Sequence, residues 1–199
     1  MGTRGLWGFR KDRVDKLTYN HYDSYPDYLG YKIIEFIKNH DKEELVSIFN
    51  RIVLVDEDEP ATAEAMVLCK RFCDVDVSSK SIRDWYCLLR RSQGCPEAYA
   101  NGLRFMIEYA GFIKNSLFCE YAYIINLDEN VLEYWVGYQK EPDKTNRYVN
   151  VNFDGYYPCK MLKTFNLNDI KKMNSDDIVR EMIVMNDMDY QNQTKKEDE

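Results

Sequence analysis

The sequence predicts an α+β fold in which a mostly antiparallel sheet is covered by helices. Three observations predict it. Strand patterns separated by turn residues occupy both ends of the chain, the middle carries apolar residues at helical spacing, and one more helical pattern follows the last strand. With 45% hydrophobic residues among 199 and no Pro-, Gly- or Ser-rich linker, one core suffices for a single α+β domain over residues 1–188. Residues 189–199 end in Gln191-Asn-Gln-Thr-Lys-Lys-Glu-Asp-Glu199, which has no apolar anchor, so a disordered charged tail is expected there.

The opening hairpin pairs a strand over Thr3–Arg10 with one over Lys16–Asn20, about a turn at Lys11–Asp15. Gly2, Gly5 and Gly8 fall on every third position of the first strand. Such frequency means either close approach of another backbone or a ligand, or a poor edge strand. Leu29, Ile33, Phe36 and Ile37 then set a helix over Asp27–Asn39, and Asp41 caps a second that carries Leu45, Ile48 and Phe49. Arg51–Asp56 fits either a short strand or the end of that helix. Pro60 suits the first turn of a helix to Phe72 with Met66, Cys69 and Cys73 on one face. Ser81 begins another that turns Ile82, Trp85, Tyr86 and Leu89 inward and ends at Gly94. Strands return at Phe105–Phe112, at Cys119–Leu127 and Val131–Tyr138 about Asp128–Asn130, and at Met161–Asn166. Lys140–Cys159 is a polar connection long enough to suggest function or mobility, and a helix over Ser175–Met185 closes the domain.

Charge and composition exclude several classes. A formal charge of −7 argues against nucleic-acid binding, which rests on a basic surface. No run approaches eighteen apolar residues and no basic stretch precedes an apolar one at the start, so no membrane span and no signal peptide are expected, and the location is expected to be cytoplasmic. Leu6 stands where an N-myristoylation start needs Ser or Thr. The six cysteines include no Cys-x-x-Cys pair, and His21 and His40 are the only histidines, so reduced, buried thiols are expected rather than a metal site. No cofactor is expected. Cys95 before Pro96 fits a structural thiol better than a reactive one. Asp56-Glu-Asp-Glu59 fits a solvated helix start better than a cation site. The sixteen tyrosines suit a protein interface, a ligand cleft or core packing, among them Tyr121, Tyr123 and Tyr134 beside Trp135, and Tyr138, Tyr148, Tyr156 and Tyr157 around the long connection.

The densest chemistry lies in Tyr19-Asn-His-Tyr-Asp-Ser-Tyr-Pro26, at the exit of a strand, where rigid backbone meets exposed side chains. His21 is a candidate general acid or base, Asp23 a group to orient it or a substrate amine, and Asn20 a donor to a developing oxyanion. The same residues also build turns and helix caps, which is the competing account of Asn20, Asp23 and Ser24. Arg4 and Arg10, with Tyr25, are candidate ligand-binding residues, since guanidinium groups hold carboxylates and phosphates in bidentate fashion.

The run Met1-Gly-Thr-Arg-Gly-x-x-Gly-Phe-Arg10, followed by Tyr19-Asn-His-Tyr-Asp-Ser-Tyr-Pro26 and Leu29-Gly30, resembles an uncharacterised family of small proteins from bacteria, phages and some fungi. Further pieces are Glu120-Tyr-Ala-Tyr-Ile-Ile-Asn-Leu-Asp128, Val136-Gly-Tyr-Gln-Lys140 and Gly155-Tyr-Tyr-Pro158. This resemblance implies domain extent but no reaction. The opening hairpin with Asn20-His-Tyr-Asp23 leaving it is also similar to N-terminal-nucleophile hydrolases, in which Asn-Arg-Asp follows the hairpin; here one more residue intervenes. That likeness implies a sandwich of sheets and helices and an amide hydrolase with Thr3, Asn20, His21 and Asp23 as catalytic residues. Thr3 can serve only after cleavage behind Gly2, at a Gly-Thr junction like those of threonine-dependent members. Two functions follow as expectations. One is a pocket at the hairpin for a small molecule or peptide amide. The other is a non-catalytic, phage-associated or host-interaction protein that engages a protein partner through acidic, tyrosine-rich surfaces.

Overall fold

A computed structural model describes residues 2–148 and 151–197, with side chains through Thr194. The fold is α+β. Strands β1 (Gly5–Lys11) and β2 (Val14–Asn20) form the opening hairpin, and β5 (Tyr121–Asn126), β6 (Val131–Val136) and β7 (Lys160–Asn166) complete a sheet of order β2-β1-β5-β6-β7. Within this five-stranded sheet only β1 and β5 run parallel; its other pairings are antiparallel. Strand β1 is therefore an interior strand, which decides between the two accounts of its glycines. A Cβ on Gly5 would lie 2.5 Å from the Tyr121 carbonyl oxygen, and one on Gly8 2.1 Å from that of Lys16. Close backbone approach, not edge weakness, is what those positions require.

The hairpin turn is tighter than the sequence suggests, because Asp12 and Arg13 both adopt left-handed conformations, at φ 53° and 62°. Their amides donate to the carboxylate of Asp128, at 2.7 and 3.0 Å, so the turn of the β5–β6 hairpin holds the turn of the first.

Period-two alternation gives the sheet two apolar faces. Trp7, Phe9, Tyr123, Ile125, Leu132 and Tyr134 point into the main core with helices α1 (Tyr31–Asn39) and α2 (Lys42–Arg51). Leu6, Leu17, Ala122, Ile124 and Trp135 point the other way, where Ile113, Tyr148 and Cys159 cover them. Tyr148 and Cys159 of the long connection thus pack on the sheet's second face. Asp41 caps α2 through a reciprocal capping box with Glu44. Lys16 closes its other end by donating to the carbonyls of Phe49 (2.9 Å) and Ile52 (2.6 Å). The ambiguous run after Arg51 is strand β3 (Val53–Val55), which pairs in parallel with β4 (Phe105–Ile107).

Three predicted elements are shorter than their patterns. The strand from Phe105 ends at Ile107, and residues Ala110–Lys114 form a 3₁₀ turn whose Tyr109 amide donates to Leu17. Helix α3 (Ala63–Cys69) starts later than Pro60, because Thr62 takes the cap position and accepts from the Ala65 amide, and a 3₁₀ turn over Lys70–Phe72 carries it to the expected end. The helix expected from Ser81 begins at α4 (Trp85–Leu88), since Asp84 caps the amides of Tyr86 and Cys87, and Ile82 is left 48% exposed instead of inward. The short α5 (Glu97–Ala100) and α6 (Leu167–Ile170) follow. One element is longer: α7 (Ser175–Glu197) passes Met185 and the 188/189 boundary, and is helical where a disordered tail was expected. Its hold is polar rather than apolar. The Asp189 carboxylate accepts from Lys160 (2.6 Å), Gln139 (3.1 Å) and Gln193 (2.7 Å). Among the described residues no helix is long and apolar enough to cross a membrane.

Candidate functional site

The exit of β2 is where the sequence concentrates chemistry, and strand geometry divides that motif. Asn20 lies on the main-core side and Tyr19 and His21 on the other, so the residues open into two separate hollows.

The first hollow, about 300 Å³, is polar. Asn20, Tyr22 and Asp23 line it with Tyr28, Leu29 and Lys32, and Asp74, Arg90, Arg91, Gln93 and Gly94 face them. Gly94 has φ +60°, and a Cβ there would sit 2.7 Å from Asn20 Oδ1, so only glycine lets this backbone close against the amide. Arg90 is held in place: its Nη1 donates to Tyr86 OH (3.2 Å) and Gln93 Oε1 (2.5 Å), and its guanidinium lies 5.2 Å from the Tyr22 ring centre and 5.3 Å from that of Tyr86. Lys32 Nζ sits 4.4 Å from the Tyr28 ring. Three cations and two carboxylates therefore border one small space. None of these cations is ion-paired with Asp23 or Asp74 among the described residues.

The second hollow, about 330 Å³, is aromatic. Tyr19, Tyr86, Tyr109, Phe112 and Phe118 line it with Arg4 and His21. Tyr19 OH and His21 Nδ1 share a hydrogen bond of 2.8 Å. Burial, and then the charges of Arg90 and Arg4, lower the His21 pKa, so its imidazole is neutral at neutral pH. Burial pushes Tyr19 up to about 12, which keeps its phenol protonated. A partition of Tyr22, Arg90 and Tyr86 separates the hollows, with His21 and Tyr22 rings 4.2 Å apart.

The expected site residues do not gather in one place. Thr3 is only 2% exposed; its carbonyl accepts from the Ser24 amide at 3.2 Å, and it lines neither hollow. Asn20 Nδ2 donates to Tyr22 O (2.5 Å) and Ser24 Oγ (2.8 Å), so its donors shape the turn, although the residue also lines the polar hollow. Asp23, at φ +54°, both turns the chain and lines that hollow. His21 and Arg4 belong to the aromatic one. Tyr25 lines neither, its ring 6.0 Å from Tyr121. Arg10 stands six residues beyond Arg4, about 20 Å along the strand, and is paired with Asp15 at 2.8 Å. Neither lining contains a Ser, Thr or Cys among the described residues.

Sequence reasoning missed Lys32, Arg90 and Arg91, and the aromatic wall of Tyr86, Tyr109, Phe112 and Phe118. The Arg90-Arg91 pair followed by Gln93-Gly94 was the available signal: a glycine ending a helix beside two cations. No family model matches the chain, and no curated protein or solved structure matches it either.

Proposed function

We propose that the chain binds a small ligand carrying both a carboxylate and a protonated amine, of the size of an amino acid or short peptide, in the polar hollow at the exit of the opening hairpin. The observation that carries this reading is the gathering of Lys32, Arg90 and Arg91 with Asp23 and Asp74 around one hollow of about 300 Å³. A volume at the small end of ligand pockets suits a small guest. Charges of both signs that are not paired to each other suit one that is itself zwitterionic. The ordered guanidinium of Arg90 supplies a planar donor for the carboxylate, and the carboxylates of Asp23 and Asp74 receive the amine. The reading keeps the hairpin pocket implied by the likeness to N-terminal-nucleophile hydrolases and leaves out turnover, because the hydroxyl that chemistry needs belongs to the buried Thr3. Kinship with the family of small bacterial, phage and fungal proteins is part of the same proposal.

The test is a thermal-shift screen of free amino acids and dipeptides, each beside its N-acetylated and C-amidated forms. At least one free zwitterion is expected to raise Tm, both blocked forms to lose the effect, and Arg91→Gln with Lys32→Gln to abolish it. No shift from any free zwitterion at 10 mM, or equal shifts from blocked forms, overturns the reading.

A further inference from the structure

The aromatic hollow on the other side of the partition has a chemistry of its own, independent of the polar one. Five of its seven lining residues are Phe or Tyr, and among the described residues Arg4 is the only lining group that is charged at neutral pH. The rings pack on one another: Tyr19 meets Phe112 edge to face at 81° and Tyr109 tilted at 40°, with centroids 5.3 and 5.5 Å apart. At those separations the rings touch one another and make one continuous aromatic wall, against which a further flat ring can pack.

We propose that this cleft binds a planar aromatic ring bearing a single carboxylate, with the ring against the wall of Tyr19, Tyr109 and Phe112 and the carboxylate at Arg4 and His21. Arg4 is exposed, and its guanidinium lies over the Phe118 ring at 5.4 Å with no ion pair among the described residues. Its backbone amide, not its side chain, takes the neighbouring Glu120, at 3.1 Å. The Tyr19 hydroxyl occupies His21 Nδ1 and leaves Nε2 as the ring nitrogen open to a ligand. Behind the lining, Tyr109 OH donates to Glu57, and Arg90 donates to Tyr86 OH, which fixes two of the ring walls from outside. An aromatic box also attracts cations. Here the charge at the mouth decides against one, since Arg4 repels a cation at the place where it attracts a carboxylate.

The probe is 2-naphthoate, followed by its fluorescence anisotropy on the full chain, beside the neutral 2-naphthamide and the cationic 2-naphthylmethylammonium. Saturable binding of the acid is expected, with the cation weakest. Arg4→Gln should weaken the acid about tenfold, the worth of one charge-assisted pair, while leaving the amide unchanged. Phe112→Leu should weaken acid and amide alike, and circular dichroism would confirm that both variants fold. Lys32→Gln with Arg91→Gln, in the polar hollow, should leave naphthoate binding unchanged. The proposal is overturned if the acid shows no saturation by 10 mM, if the cation binds as tightly as the acid, if Arg4→Gln has no effect, or if the polar-hollow variants abolish binding.

Discussion

Two clusters of charge on this molecule use the same residue types and do opposite things. On the second face of the sheet, Glu133 is 2% exposed and saturated: Arg147 grips both of its oxygens at 2.7 Å, Asn126 donates at 2.7 Å and Trp135 Nε1 at 2.9 Å. Tyr148 extends the network to Asp15, which also holds Arg10. Arg147, Asn126, Trp135, Tyr148 and Arg10 each donate to a carboxylate inside the protein. At the exit of β2, Lys32, Arg91, Asp23 and Asp74 border a space instead of one another. Charges whose partners are built in serve the fold, and the charges left facing a space are the ones on which the proposed binding rests.

The sharpest way to break this comparison is to remove one member of the closed network. Arg147→Met strands the Glu133 carboxylate among apolar neighbours, and losing one partner of a buried pair costs about 3–5 kcal/mol. Urea unfolding monitored by tryptophan fluorescence should show a large drop in midpoint at nearly constant slope. A loss under about 1 kcal/mol would mean that Glu133 is served by Asn126 and Trp135 alone, and the network would no longer count as a unit. The next effect separates folding from binding within the polar hollow itself. Asn20→Ala removes the donor to Tyr22 O and Ser24 Oγ, and an unsatisfied buried group costs about 1–3 kcal/mol. Asn20 thus stands with the fold, although it lines the hollow; a neutral result in the same unfolding assay would return it to the binding residues.

How much of this was legible follows from what each residue answers to. The α+β class, the two hairpins, α1 and α2 came through because their signals are local: periodicity, the Asp41 cap, the alternation of β5 and β6. Gly5 and Gly8 announced close packing without naming the neighbour: for Gly8 it is the hairpin partner at Lys16, but for Gly5 it is set by the parallel pairing with a strand more than a hundred residues away. The pairing of Arg10 with Asp15, and the packing of Arg147 and Tyr148 from the long connection, could not be read from the sequence for one reason. Asp15, Glu133 and Arg147 meet only through tertiary contact, and a salt-bridged arginine looks the same in sequence as a ligand-binding one. The motif at β2's exit was found, but its division into two hollows depends on which face each residue takes, and the cations opposite arrive from a separate turn.

Asp84 sharpens the comparison from between the two extremes, as a carboxylate near the surface that is nonetheless saturated. Burial pushes its pKa up; the hydroxyls of Ser79 and Ser78 and the amides of Ser79 and Tyr86 outweigh this and hold it at about 2. The folded value lies below the unfolded one of about 3.9, so its contribution is present above about pH 4 and is lost as pH falls toward 2. Asp84→Ala should cost about 1 kcal/mol at pH 7, as the loss of a helix cap. Stability curves of wild type and variant should converge between pH 4 and 2; a difference that stays constant through that window would show that the cap acts without its charge.

The smallest expected effect on stability is the most telling for the open cluster. Lys32 and Arg91 are exposed and lack an ion pair among the described residues, so Lys32→Gln with Arg91→Gln should change unfolding free energy by no more than about 0.5 kcal/mol. The same pair should remove any ligand-induced rise in Tm. That combination, no cost to the fold and full cost to binding, is what distinguishes a site from a scaffold. If the double variant instead unfolds markedly earlier in urea, these cations are structural after all, and the polar hollow becomes a second closed network seen from its exposed side.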